Sequence, residues 1–317
     1  MRRLFFETLA EIGEKNPRIV LLTADLGYLA LESFAERCPQ QFFNVGVSEQ
    51  NMIGLATGLA ESGFFPFVYS ITPFVVLRPY EFIRNGPVAH RLPVRIVSVG
   101  AGLEYGTNGI SHYGLEDVGV LRTQPGLHLI TPADKLQARA ALQMVWNLPG
   151  PLYFRLSKDD QTVIPGLEDR FAPGRTQTLR EGDDLLLIAL GTAASDALCA
   201  AEHLHARGIS VHVELVDNLN GSALETLAVQ LARFPLAVTV EAHYVNGGLG
   251  SLVCEMAAEG NIRCRVVRCG VAAVPDGITG SQSYLHQRYG ISGTAVAERV
   301  IAELGTGRPR FRGVAPP

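Results

Sequence analysis

The sequence predicts an α/β protein built from two doubly wound domains. Three observations carry this. Short apolar runs recur as continuous blocks rather than alternating patterns, and segments of helical period separate them. Such blocks belong to parallel strands covered on both faces. The 317 residues exceed the usual size of a single core. Finally, from Lys158 to Asp184 the pattern dissolves into KDDQTVIPGLEDRFAPGRTQTLREGDD, a polar stretch with proline and glycine that reads as a linker. The expected domains are residues 1–165 and 180–317.

The elements follow in order. MRRLFFETLAEIGEKNP is apolar for only six residues before Glu7 interrupts it, so an amphipathic helix over Leu4–Glu14 is expected rather than a signal peptide. RIVLLTAD and QFFNVGV read as strands. The small, apolar segment Glu49–Ser62 reads as a helix. FPFVYS is the third strand, and Phe74–Arg84 the helix after it. VRIVSVGAG is the fourth strand, followed by a long glycine-rich loop from Gly100 to Gly114. Loops of that length inside a domain are usually functional or mobile. LHLIT and LYFRLS are strands on either side of a helix over Asp134–Trp146. In TPADKLQARAAL, Thr131 reads as the N-cap, with Pro132 in the first turn and Asp134 just inside. The second series is LLLIALG, SVHVELVD, AVTVEAH and CRVVRCGV, with helices between. GGLGS at 247–251 lacks the full dinucleotide-binding spacing. It reads as a tight turn into the helix containing Val253 and Met256, and His243 before it as structural.

Apolar residues make up 47% and charged residues 18%, with a net charge of −4. No basic block is present to neutralise a phosphate backbone, so a nucleic-acid partner is not expected. The short basic tail GRPRFRG reads as a solvated end. No apolar run approaches the ~20 residues that span a bilayer. The five cysteines form no C-x-x-C pair or metal spacing, as expected for reduced thiols in a cytoplasmic protein.

In open parallel sheets ligands bind beyond the carboxyl ends of the strands. Candidate chemistry therefore lies at Asp25, Glu49, the YSITPF segment, the Gly100–Gly114 loop, and Arg155 with Lys158. Glu49 stands out as a bare acid opening an apolar helix. From its position alone, a surface acid favouring a helix N-terminus and a functional carboxylate weigh equally.

The stretch NVGVSEQNMIGLATGLAESGFFPFVYS resembles the pyrimidine-binding domain of transketolases and of 1-deoxyxylulose-5-phosphate synthases. YGTNGISHYGLEDVGVLRTQPGLHLITPAD and GPLYFRLSK continue the likeness. VTVEAHYVNGGLGSLVCEMAAEG resembles the C-terminal domain of the same families. The resemblance runs in order along nearly the whole chain. It implies thiamine diphosphate as cofactor. The family's diphosphate and Mg²⁺ motif, a Gly-Asp-Gly followed by an Asn-bearing turn, is missing. The implied chain is therefore the second half of a split enzyme. Its partner is an N-terminal transketolase-like subunit that carries the diphosphate and Mg²⁺ site, in an α₂β₂ assembly. No metal site is assigned to this chain.

The resemblance also implies roles. Glu49 matches the glutamate that hydrogen-bonds N1′ of the aminopyrimidine through a shared proton, the step that activates the cofactor's carbon nucleophile. Phe74 matches the aromatic plate beneath that ring, and Ile71 and Leu77 stand at neighbouring positions that are often aromatic. His112 matches the histidine that contacts the reacting oxygen. Asn108 replaces an aspartate that reads a substrate hydroxyl, and Gly100 replaces another substrate-contacting histidine. Lys158 stands where a phosphate-binding arginine is common, with Arg155 nearby, and Arg2 matches a further phosphate-binding position. The implied reaction moves a two-carbon ketol or related acyl unit from a sugar or 2-oxo acid to an aldehyde or ketone. The rivals are a 2-oxoacid dehydrogenase E1 β subunit, a deoxyxylulose-phosphate-synthase-like subunit that decarboxylates pyruvate, and a non-catalytic interaction subunit that kept the fold.

Overall fold

Two sheets organise the chain in a computed structural model that describes residues 1–219 and 221–305; the basic tail lies outside the described residues. The first sheet holds β1 (Ile19–Thr23), β2 (Phe42–Asn44), β3 (Phe65–Ile71), β4 (Arg95–Val99), β5 (His128–Ile130) and β6 (Leu152–Leu156), in the order β2-β1-β3-β4-β6-β5. All pairings are parallel. β1, β4 and β6 are buried at every position, including the polar Arg95, Ser98 and Arg155 among their apolar residues. All six are the strands expected from the sequence.

Helices α1 (Arg2–Gly13), α2 (Glu32–Arg37) and α7 (Lys135–Val145) cover one face, where Phe5, Phe6 and Leu9 meet Phe67, Phe154 and Leu142. The other face is covered by α3 (Glu49–Glu61), α4 (Thr72–Val76), α5 (Tyr80–Ile83) and α6 (Asp117–Leu121). The sequence suggested one helix over Phe74–Arg84. The structure breaks it: α4 ends at Val76, α5 starts after Pro79, and a wide turn over Arg84–Val88 follows. Pro79 has no N–H to continue the ladder and restricts the residue before it. At α7 the cap is Asp134, not Thr131. The Asp134 Oδ1 accepts from the N–H groups of Leu136 and Gln137, both at 2.9 Å, and Oδ2 accepts from Ile164 N at 2.7 Å. Such a cap contributes about 1 kcal/mol. Thr131 points across to the second domain instead. Its hydroxyl donates to Val216 O at 3.1 Å and its N–H to Asp217 O at 2.7 Å.

The second sheet contains β7 (Gln177–Arg180), β8 (Leu185–Leu190), β9 (Val211–Val216), β10 (Leu236–Tyr244) and β11 (Arg265–Val271), ordered β11-β10-β8-β9-β7. β8 to β11 match the four expected strands and pair in parallel. β7 lies inside the stretch read as linker and joins β9 antiparallel. It is a polar edge strand, so no apolar run announces it. Thr176 and Thr178 donate their hydroxyls to Glu214 of β9. Helices α8 (Ala194–His205) and α12 (Gly293–Gly305) pack on one face, α9 (Gly221–Leu231) and α10 (Leu249–Glu259) on the other. A short α11 (Gln282–Arg288) precedes α12. Among the described residues no helix is long and apolar enough to cross a membrane, and all five cysteines are free.

The two sheets share buried surface. One apolar cluster includes Leu121 and Leu129 from the first domain with Leu186, Val216 and Leu249 from the second. His243 sits in this junction, as a structural residue should. Its Nε2 accepts from Gly119 N at 3.1 Å while Nδ1 donates to Tyr244 O at 2.7 Å. The GGLGS turn leads into α10, whose first N–H groups donate to the Glu241 carboxylate at 2.7 and 2.8 Å.

Candidate active site

The loops after β2, β3, β4 and β6 converge at the carboxyl end of the first sheet, where an open parallel sheet places its ligands. After β2, Asn44 holds the turn: its Oδ1 accepts from Asp25 N at 3.1 Å and Gly46 N at 3.0 Å, and its Nδ2 donates to Asp25 Oδ1 at 2.8 Å. Gly46 takes φ +74°, a conformation glycine tolerates. The chain then enters α3 at Glu49, whose side chain is only 4% exposed.

A continuous row of groups starts at that carboxylate. Arg78 Nη1 donates to Glu49 Oε1 at 3.2 Å and Oε2 at 3.1 Å, and Ser70 Oγ lies 3.4 Å from Oε1. The Arg78 guanidinium carbon stands 3.9 Å above the centre of the Phe74 ring. Phe74 meets the His112 ring edge-on at 5.1 Å, and Tyr105 lies 5.8 Å from His112 on its other side. The Lys158 ammonium sits 4.0 Å over the Tyr105 ring. Arg2 approaches Tyr69 and Tyr105 from the start of α1. An open cavity of about 620 Å³, lined by Val47, Glu49, Gln50, Asn51, Arg78 and Phe82, leads to the acid end of the row.

The loop that carries His112 is clamped by the second domain. Gly280 N donates to Gly106 O at 3.2 Å, and the Tyr113 hydroxyl donates to Ile278 O at 3.4 Å. Gly102 packs so closely on Ala242 that a Cβ there would come within 2.5 Å of the Ala242 methyl. The second domain therefore decides where His112 stands.

Two family models match this chain: the transketolase pyrimidine-binding domain over residues 1–162, and the transketolase C-terminal domain over residues 174–296. The chain belongs to the transketolase family. It is 33% identical to the 6-deoxy-6-sulfo-D-fructose transketolase subunit SqwH of Clostridium sp. (strain MSTE9), covering 98% of this chain and 96% of that one. It is 29% identical to an apulose-4-phosphate transketolase subunit of Phocaeicola vulgatus, covering 95% and 96%. Among solved structures it superposes on a split-gene transketolase in an inactive beta4 tetramer, with a TM-score of 0.84 at 35% identity, over 97% of this chain and 98% of that one.

Within this transketolase-type site the residues singled out in the sequence divide into two groups. Glu49, Phe74, His112 and Lys158 join the row. Asn108 lies exposed on the same loop, in a turn whose N–H donates to Tyr105 O at 2.8 Å. Ile71 is half-buried against the aromatic cluster beneath α1, and Leu77 is 40% exposed beside Arg78. Arg155 does not join them. It is 3% exposed. Its Nε donates to Asp117 Oδ2 at 2.7 Å, and its Nη2 donates to the carbonyls of Gly114 at 2.9 Å and Ala242 at 3.0 Å. It ties the His112 loop to the second domain, and its guanidinium is buried in those bonds rather than facing a substrate.

Gly100 has φ +89°, and a Cβ there would fall 2.2 Å from the Tyr105 ring. Tyr105 fills that space instead and supports Lys158 from below. Sequence reading missed Tyr105 and Arg78. Arg78 follows Phe74 by four residues, which on a continuous helix would have put both on one face. That spacing, inside the helix expected over Phe74–Arg84, was the available signal.

His112 is half-buried, and burial holds its pKa below the ordinary 6.5, with the Arg78 and Lys158 cations adding to the effect. The ring is neutral at pH 7 and able to donate or accept a proton. An NMR titration of the chain should place the His112 midpoint below 6.5, and Lys158→Gln should move it upward. A midpoint above 6.5 in the native protein would contradict this electrostatic account.

Proposed function

We propose that this chain is the β-type subunit of a split, thiamine-diphosphate-dependent transketolase-like enzyme that transfers a two-carbon ketol or related acyl unit to an aldehyde or ketone. One observation carries the reading. A buried carboxylate, an aromatic plate and a neutral histidine stand in sequence at the carboxyl end of the first sheet. The residues fit the pyrimidine end of the cofactor on evidence internal to the chain: the space between Glu49 and Phe74 already accepts a flat N–H donor, the Arg78 guanidinium. When bound, the cofactor supplies a carbon nucleophile that carries the transferred unit.

Glu49 holds and shares the proton at the pyrimidine nitrogen N1′. Phe74 fixes the plane of that ring; an aromatic pair of this kind adds about 1 kcal/mol beyond area burial. His112 hydrogen-bonds the oxygen at the reacting carbon and moves a proton to or from it. Lys158 offers a point charge to an anionic group at the far end of the substrate. Tyr105 in place of a histidine side chain at Gly100, and Asn108 in place of aspartate, leave fewer groups that read sugar hydroxyls. This favours an acceptor, or a donor such as pyruvate, other than the usual aldose phosphate. The diphosphate and Mg²⁺ belong to an N-terminal subunit in an α₂β₂ assembly in the cytoplasm. Relatives that are themselves named as transketolase subunits support this division.

Equilibrium dialysis tests the assignment. The chain alone should retain little thiamine diphosphate, and the pair formed with the product of a neighbouring gene that carries the diphosphate motif should retain it near one per active site. Mass-spectrometric screening of that pair should then show transfer of a two-carbon unit to an aldehyde or ketone. A pair that binds no cofactor, or that only decarboxylates pyruvate, would overturn the assignment.

A further inference from the structure

Arg78 makes two contacts that single out one position in the site. Its guanidinium carbon stands over Phe74, 3.9 Å from the ring centre, and the same group donates to both oxygens of Glu49 at 3.1 and 3.2 Å. A planar cation stacked on an aromatic face and paired with a carboxylate is a favourable arrangement. It is also the arrangement a protonated or N–H-donating aminopyrimidine would need from the same two residues. Van der Waals thickness forbids both at once. A second flat group cannot lie on Phe74 and bond Glu49 while the guanidinium is there.

We propose that Arg78 is a competing internal ligand: its guanidinium and the pyrimidine of the cofactor are mutually exclusive occupants of the space between Glu49 and Phe74. The inference rests on the reading of that space as the pyrimidine site. Arg78 sets how readily the site loads. A guanidinium only donates hydrogen bonds and does not give up a proton. With Arg78 in place, the Glu49 oxygens that face it are occupied and the acid has no group with which to exchange a proton. Release is mechanically simple. The Arg78 side chain is 46% exposed at the mouth of the cavity. It sits at the break between α4 and α5, where Pro79 interrupts the helix. If the guanidinium holds the space nine-tenths to ninety-nine hundredths of the time, apparent affinity for a pyrimidine falls by about tenfold to a hundredfold.

The test uses the full chain alone and the free pyrimidine half of thiamine, 4-amino-5-hydroxymethyl-2-methylpyrimidine, titrated by calorimetry or saturation-transfer NMR. Arg78→Ala and Arg78→Met should each bind this probe about tenfold to a hundredfold more tightly than the native chain. Arg78→Lys should fall between, because lysine keeps the charge and loses the flat fork. Adding Glu49→Ala to Arg78→Ala should abolish the gain. Circular dichroism and thermal melting confirm that each variant is folded. If both Arg78→Ala and Arg78→Met bind the probe no better than the native chain, the competition is overturned. In that case, weaker binding in Glu49→Ala or Phe74→Ala would leave the pyrimidine site itself standing. Indifference of the probe to all these residues would remove the site as well.

Discussion

Glu49→Gln in the assembled enzyme is expected to lower kcat by roughly 10²–10⁴-fold, the usual contribution of a positioned general acid or base. The substitution is close to isosteric. Glutamine still accepts a hydrogen bond from Arg78 or Ser70, so the local packing at the head of α3 is kept. It carries no acidic proton to share with a ring nitrogen. Binding of thiamine diphosphate should weaken far less than turnover, because Phe74 and the partner subunit remain. Activity and cofactor retention are therefore to be measured on the same preparation. Full thiamine-dependent turnover by Glu49→Gln would remove the acid from the mechanism. Loss of fold would show in the circular dichroism spectrum and is not expected for a single amide at a helix start.

Arg155→Met should destabilise the chain by about 3–5 kcal/mol, the cost of leaving a buried charge without its partner. The Arg155 and Asp117 side chains are 2% and 1% exposed. Removing the guanidinium strips Asp117 of its counter-charge and takes a donor from the carbonyls of Gly114 and Ala242, the former keeping only its bond from Gly102 N. The Tyr153 hydroxyl, which donates to Asp117 Oδ2 at 2.6 Å, cannot offset a full charge. At about 2–4 °C per kcal/mol for a chain of this class, Tm should fall by roughly 6–20 °C. A shift below about 1 °C would contradict the account. Arg155→Met combined with Asp117→Leu should recover much of the loss, since replacing both partners removes the orphaned charge. The pair also has a pH signature. Burial alone would push the Asp117 carboxyl up, but the Arg155 charge overrides it and holds the group below its ordinary 3.8. Its folded-state value is thus depressed, so its stabilising contribution is complete above the ordinary carboxylate range. That contribution fades as pH falls below 3.8. Activity should decline with stability here, because Arg155 braces the loop that carries His112.

The contrast between Glu49 and Arg155 shows what the sequence could and could not settle about the site. Glu49 was legible because it is an acid at the first residue of an otherwise small, apolar helix following a strand. Its family context then supplied a role. Arg155 follows a strand too, and that position equally suggested a substrate contact. Nothing in the local sequence indicates that Asp117, 38 residues earlier, and two backbone carbonyls, one from the other domain, would enclose it. Arg78 was hidden for a related reason. Its partner acid is 29 residues away.

The ten largely apolar strands, the helices between them and the two-domain division were legible in local pattern, because strands in a sheet covered on both faces must be mostly apolar. Glu49, Phe74 and His112 could likewise be named from the linear chain. The polar edge strand β7 was settled by tertiary structure, through its pairing with β9 and the bonds of Thr176 and Thr178 to Glu214. The second domain's clamp on the His112 loop and the pairing of Arg78 with Glu49 were settled in the same way. Hydrophobic burial is written into every residue's own side chain, whereas the partner of a charge or a hydrogen-bond donor depends on which distant segment the fold brings beside it.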